Sequence, residues 1–207
     1  MRNAIIYIAI GMLLPMFLGC EKDDSVIPQC IDCSNDSLLI DTTVAVVYIM
    51  NEGNYGWNNS SLSMYYPNLN LVQNNVYQSA NGVIAGDVMQ SMTLIGNSGF
   101  LVLNNSDKID VLDMNTLKVQ GVVNGISTPR YVKQISQTEA LVSSLFGNKV
   151  YWLDLRSLEV IKTTEYTGWT EQIELVYENI FIVSPDQNKL LVLNRDGWVK
   201  EIEVGEF

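Results

Sequence analysis

Histidine is absent from the sequence, which removes the side chain that most often serves as acid, base or metal ligand near neutral pH. No Ser–His or Cys–His dyad can be assembled from what remains. Carboxylates such as Glu52 and Asp87 could exchange protons, but no spacing pairs them at a defined distance. Cys30 and Cys33 form a C-x-x-C. Zinc needs about four ligands, and neither a second cysteine pair nor an imidazole is present to complete the set. A redox pair would sit in a βαβ context, which the pattern lacks. In an oxidising compartment the two cysteines are expected to close a small disulfide loop. Phosphate-cradling glycines and a dinucleotide fingerprint are also missing. The sequence therefore predicts no catalytic residue, no metal and no cofactor. Two kinds of chemistry remain: modification of Cys20 and non-covalent recognition.

Arg2 gives a small positive start, and Ala4 to Leu18 is almost wholly apolar. That run is too short and wrongly flanked for a spanning helix, so it reads as a secretory signal. It ends in FLGC, which resembles the bacterial lipobox with Phe17 where Leu is commoner. Cys20 then becomes the lipidated first residue of the mature chain. The plain alternative is an ordinary signal peptide followed by an unrelated cysteine. Each buried acyl methylene contributes about 0.8 kcal/mol, so several chains hold a protein on a membrane without a spanning helix. Glu21-Lys22-Asp23-Asp24 follows directly and resembles the surface-export signal of Bacteroidota lipoproteins; a solvated tether is the simpler reading. The expected organisation is a signal peptide over 1–19, a lipidated acidic tether with the C-x-x-C over 20–42, and a folded part over 43–207. Loss of the leader moves the net charge from −11 to −12. Such a chain is a poor match for nucleic acid, which needs Lys and Arg to displace counterions.

The elements that must position any site repeat. Phe100 to Val119, Ala140 to Val160 and Phe181 to Val199 share an apolar strand, a polar turn, a second strand, a turn residue and a third strand. Asp113, Asp154 and Asn194 hold the turn place, 41 and 40 residues apart. Tyr66-Pro67 takes the matching place in an earlier copy, 47 residues before Asp113, and the excess is expected within Asn81 to Met92. A period of about 40 with several short strands marks a propeller blade. A β-sandwich also has short strands, but gives no reason for a turn acid to recur at this spacing. Asp or Asn at such a corner accepts backbone N–H bonds, so Asp113 and Asp154 are expected to be structural. The fold expected is all-β: a propeller of four-stranded antiparallel blades, about four of them, as part of a larger ring, with a closed four-bladed ring as the alternative. No useful helical period follows the leader.

In such a blade the turn between second and third strands shares a rim with the connection to the next blade. That rim would gather Asn51 to Ser60, Asn81 to Met92, Asn104 to Lys108, Ser127 to Tyr131, Phe146 to Lys149, Thr167 to Gln172 and Ser184 to Lys189. The candidate ligand-binding residues there are Glu52, Asn54, Tyr55, Trp57, Asn58, Asp87, Gln90, Asn105, Arg130, Tyr131, Trp169 and Glu171. Amphipathic aromatics and amides suit recognition, because they bury area while directing hydrogen bonds. Asn and Gly also favour tight turns for purely structural reasons.

NEG-NYG-W-NNSSLS-MYYP, the Asn81 to Met92 segment, VLNNSDKIDVLD, TPRY and YWLDLRSLEV together resemble the YncE-like β-propeller lipoproteins of Bacteroidota, over roughly Val44 to Phe207. The resemblance implies a seven-bladed ring, of which this chain would hold about four blades. It also implies a lipid-anchored outer-membrane protein exposed at the cell surface. One branch, the BtuG-like type, captures cobalamin for a TonB-dependent outer-membrane transporter. A corrinoid ligand and such a transporter are thus the expected partners. A structural or adhesive protein binding glycan or protein is the alternative, and a propeller hydrolase or lactonase a weaker one.

Overall fold

The computed structural model describes residues 29–32, 38, 40, 41 and 43–205. The expected signal segment, Cys20 and Cys33 lie outside the described residues. Cys30 falls in a strand.

Four sheets of four strands follow one another along the chain. Blade 1 contains β1 (Gln29–Asp32), β2 (Val47–Asn51), β3 (Ser61–Tyr66) and β4 (Leu71–Asn74), in the order β1-β4-β3-β2. Blade 2 is a meander of β5 (Met89–Ile95), β6 (Ser98–Leu103), β7 (Lys108–Asp113) and β8 (Val119–Val123). Blade 3 repeats it with β9 (Pro129–Gln134), β10 (Glu139–Ser144), β11 (Lys149–Asp154) and β12 (Val160–Glu165). Blade 4 uses β13 (Ile173–Val176), β14 (Asn179–Ser184), β15 (Lys189–Asn194) and β16 (Gly197–Glu203). Every pairing within blades 2, 3 and 4 is antiparallel. β5, β9 and β13 lie side by side as the inner strands, and β2 of blade 1 meets β5. The blades form an arc and not a closed ring.

The middle strands read as continuous apolar runs because both of their faces are covered. Leu101 and Leu103 of β6 pack towards blade 1, while Phe100 and Val102 pack towards blade 3. In β10, Ala140 and Val142 face blade 2, and Leu141 faces blade 4. Blade 4 packs on blade 3 through one face, where Ile180 and Ile182 are buried. Val183 on the other side is 38% exposed, whereas Ser143 at the matching place in blade 3 is fully buried.

The corners explain the recurring acid. Asp113 Oδ1 accepts the backbone N–H groups of Asn115 and Thr116, both at 3.0 Å. Asp154 Oδ1 accepts those of Arg156 and Ser157 at 2.8 Å, which holds its carboxyl below the usual range. Asn194 does the same for Asp196 and Gly197 at 2.9 and 3.1 Å. Four residues after each of the first two, Leu117 and Leu158 take φ of 55° and 60°. Asn70 takes φ 47° four residues after Tyr66, closing a 3₁₀ turn over Pro67–Leu69. Tyr66-Pro67 is therefore the same corner, built without a side-chain acceptor. Asp113→Ala should lower stability by about 1 kcal/mol in urea unfolding, because the backbone donors it serves lie at the surface.

Two features differ from the sequence pattern. The 14 residues between β4 and β5 hold a short helix, α1 (Val76–Asn81). The excess of the first repeat thus begins before Asn81, and Met89 to Met92 is already β5. Six residues show only one buried stripe, Val76 and Tyr77, too little to register as a period. Asn81 ties the helix to blade 2, donating to the Leu117 carbonyl and accepting from Val119 N–H, both at 2.9 Å. The second difference is β1. Since β3 ends in the corner that follows β7 and β11, β2 matches β6 and β10, and among the described residues blade 1 has no strand at the usual innermost place. Four residues of the stretch read as tether fill its outer place, pairing parallel with β4 from Gln29↔Leu71 to Asp32↔Asn74.

Candidate functional site

The site grows from the β2–β3 loop, residues 52–60. Gly53 sits at φ 78°, where an added Cβ would come within 2.5 Å of Asn59 Oδ1. That oxygen accepts the Asn54 N–H at 2.8 Å, and the Trp57 N–H donates to the Asn54 carbonyl at 3.0 Å. The loop is therefore a folded turn, and it is fastened to its neighbours. Ser60 Oγ donates to the Gly86 carbonyl at 2.6 Å. Gly56 N–H donates to Asp87 Oδ2 at 2.7 Å, and Asn105 Nδ2 donates to the same oxygen at 2.6 Å. Asp87 itself is 7% exposed. It joins the loop, the connection entering blade 2 and the β6–β7 turn, so its role is to position them. Its Oδ1 has no hydrogen-bond partner among the described residues.

This arrangement leaves an open cleft of about 440 Å³. Glu52, Asn54 and Tyr55 border it from the loop, and Phe146 from the β10–β11 turn. Asn104, Asn105, Thr128 and Arg130 also line it. Tyr55 and Phe146 are 77% and 61% exposed. Phe146 also meets Trp169 edge-on, with ring centroids 6.2 Å apart, and Asp186 Oδ1 holds Trp169 by its N–H at 2.9 Å.

Beside the cleft a polar lattice crosses the inner strands. Arg130 donates through Nε to both Glu171 oxygens at 3.0 and 3.1 Å, and its Nη2 lies 3.0 Å from Oε1. Its Nη1 donates to Gln90 Oε1. The Tyr131 hydroxyl accepts from Gln90 Nε2 at 3.5 Å and from Gln172 Nε2 at 3.2 Å. Gln90, Tyr131 and Gln172 are each separated by 41 residues, so the lattice repeats with the blades.

The structure places the sequence-derived candidates as follows. Glu52, Asn54, Tyr55, Asn105 and Arg130 border the cleft. Gln90, Tyr131 and Glu171 belong to the lattice, Trp169 backs Phe146, and Asp87 is the clamp. Trp57 and Asn58 sit on the same loop but do not line the cleft; Asn58 holds φ 51°. Sequence reading passed over Phe146, Asn104 and Thr128. The signal for Phe146 was an aromatic in a turn already placed on this rim. Among the described residues, no group of three or more Cys, Asp or Glu could hold a metal ion.

A hollow of similar volume, about 440 Å³, lies on the opposite rim between Ile135, Leu175, Tyr177 and Arg195. It gathers a single aromatic, and Arg195 is drawn to the Ile135 carbonyl at 3.4 Å. The cleft beside Tyr55 offers more groups that recognise a ligand.

Comparison with solved structures supports the architecture alone. The computationally designed Ika8 protein superposes with a TM-score of 0.53 at 8% identity, over 73% of this chain and 48% of that one. Hydrazine synthase of Kuenenia stuttgartiensis gives 0.52 at 17%, over 61% and 40%. The WD40 β-propeller domain of Doa1 gives 0.51 at 12%, over 69% and 47%. The chain thus spans less than half the length of each. No curated protein matches it. Residues 46–207, which hold β2 to β16, match the family described as "Domain of unknown function (DUF5074)", and the chain belongs to that family.

Proposed function

We propose that the chain binds a small ring-bearing ligand in the cleft between Tyr55 and Phe146, as a YncE-like, lipid-anchored protein of the outer membrane. The observation that carries this reading is two exposed aromatics facing one concavity beside a tied-down loop. Exposed apolar rings held by a rigid frame are typical of binding surfaces, since little ordering entropy remains to be lost. A corrinoid, delivered to a TonB-dependent transporter, is the ligand that the family resemblance favours. Cyanocobalamin titrated into the protein should bind, and Phe146→Ala should weaken it at least tenfold, as loss of a buried aromatic anchor does. Absence of corrinoid binding would sink that ligand.

The exposed faces of Tyr55 and Trp57 also favour a second reading, a neutral glycan stacked on the rim. A glycan array separates the two: broad sugar signal without vitamin binding supports the second. Anchoring is tested separately. Cys20→Ala should move the protein from the membrane pellet to the soluble fraction, and retention on the membrane would refute the lipid anchor.

A further inference from the structure

The charges around the cleft restrict what it can take. This inference rests on the cleft being a binding site. Arg130 is the cation among its described lining residues, and Glu171 already holds it through a two-oxygen contact. The lysines that open β7, β11 and β15 on the same rim are also engaged. Lys108 pairs with Asp110 at 2.9 Å, Lys149 with Glu165 at 3.5 Å and Lys189 with Glu201 at 2.6 Å. The acids tell the opposite story. Glu52 borders the cleft, and Asp87, Asp107 and Asp186 occupy the adjoining loops, none with an ion-pair partner among the described residues. Asp87 adds an unbonded, buried carboxylate oxygen at the base of the loop. Asp107 and Asp186 accept backbone N–H bonds, which orient them and leave their charge in place.

We infer that the cleft accepts uncharged, hydroxyl- or amide-bearing rings and rejects anions. An approaching carboxylate, sulfate or phosphate would find every nearby cation neutralised and several carboxylates uncompensated. Like charges brought together beside low-dielectric protein repel more strongly than they do in bulk solvent. A neutral ring meets no such barrier and can stack on Tyr55 and Phe146 while its polar groups reach Asn54 and Asn105. The selection acts by repulsion, as specificity often does.

A matched pair of probes tests this: 2-naphthylmethanol and 2-naphthoate share one ring and differ in charge at pH 7. Both are titrated into the whole chain by ligand-observed NMR. Naphthoate should bind at least fivefold more weakly than the alcohol, and a smaller gap overturns the inference. Glu171→Gln, checked by thermal melt for intact folding, should free the guanidinium and at least halve the gap. An unchanged gap in a folded variant rejects the account of Arg130, while the wild-type comparison stands without the variant. Failure of the underlying site is separately visible: the alcohol then does not bind, or binds equally well to Phe146→Ala.

Discussion

Arg130→Ala should lower the unfolding free energy by about 3–5 kcal/mol, the usual effect of removing one partner of a buried ion pair. The reason lies in what stays behind. The Glu171 side chain is 10% exposed, and that of Arg130 is 19%, so solvent cannot replace the three short contacts that the guanidinium makes with the carboxylate. Gln90 Oε1 loses its donor as well, and a lattice joining β5, β9 and the segment entering β13 is cut at its centre. Replacing both charges, Arg130→Met with Glu171→Leu, should recover most of the loss, because no unpaired charge then remains in the interior. Urea unfolding of wild type, single variants and double variant completes the cycle. A single-variant loss below about 1 kcal/mol would place the pair among surface ion pairs of negligible value.

Tyr77→Phe should cost about 1–3 kcal/mol, the penalty for leaving a buried acceptor short of a donor. Tyr77 on α1 donates to Asp110 Oδ2 at 2.8 Å, where Lys108 also binds at 2.9 Å. Asp110 is 1% exposed, and its Oδ1 has no partner among the described residues, so the tyrosine cannot be spared cheaply. Burial first, then the bond to Asp110 and its charge, push the hydroxyl up from the ordinary tyrosine value of 10.0. A raised folded value means that this group's stabilisation is complete below pH 10 and declines above it, as the unfolded tyrosine ionises and the folded one does not. The gap between wild type and Tyr77→Phe should therefore narrow above pH 10. A gap constant from pH 7 to 11 would rule out this linkage.

How legible this was depended on the length of each signal. The blades could be read because Asp113, Asp154 and Asn194 mark one corner of each, and a corner acceptor leaves little choice of residue. Tyr66-Pro67 could be aligned with them although it caps nothing, because the strand before it kept the spacing. α1 was hidden, since six residues cannot display a helical period. β1 was hidden for another reason: QCID has no alternation of its own and pairs with a strand some 40 residues away, a partner that local pattern does not name. At the site, Arg130 and Glu171 were both singled out, yet their pairing was not. It follows from the repeat, because residues one blade apart stand side by side on neighbouring inner strands.

That last relation also governs how the gene can change length. Ser91 Oγ donates to the Arg130 carbonyl and Thr93 Oγ1 to the Val132 carbonyl, each across 39 residues, while Lys133 reaches Glu174 across 41. These stitches count residues. One codon gained or lost between β5 and β9 must be absorbed in a turn, or every partner further along shifts to the wrong face. Whole blades can be added or removed with the count intact, as in other repeat arrays. Extra length is also tolerated in a connection that leaves the strand-to-strand stitches in place, and the 14-residue segment carrying α1 is the longest such connection between these blades.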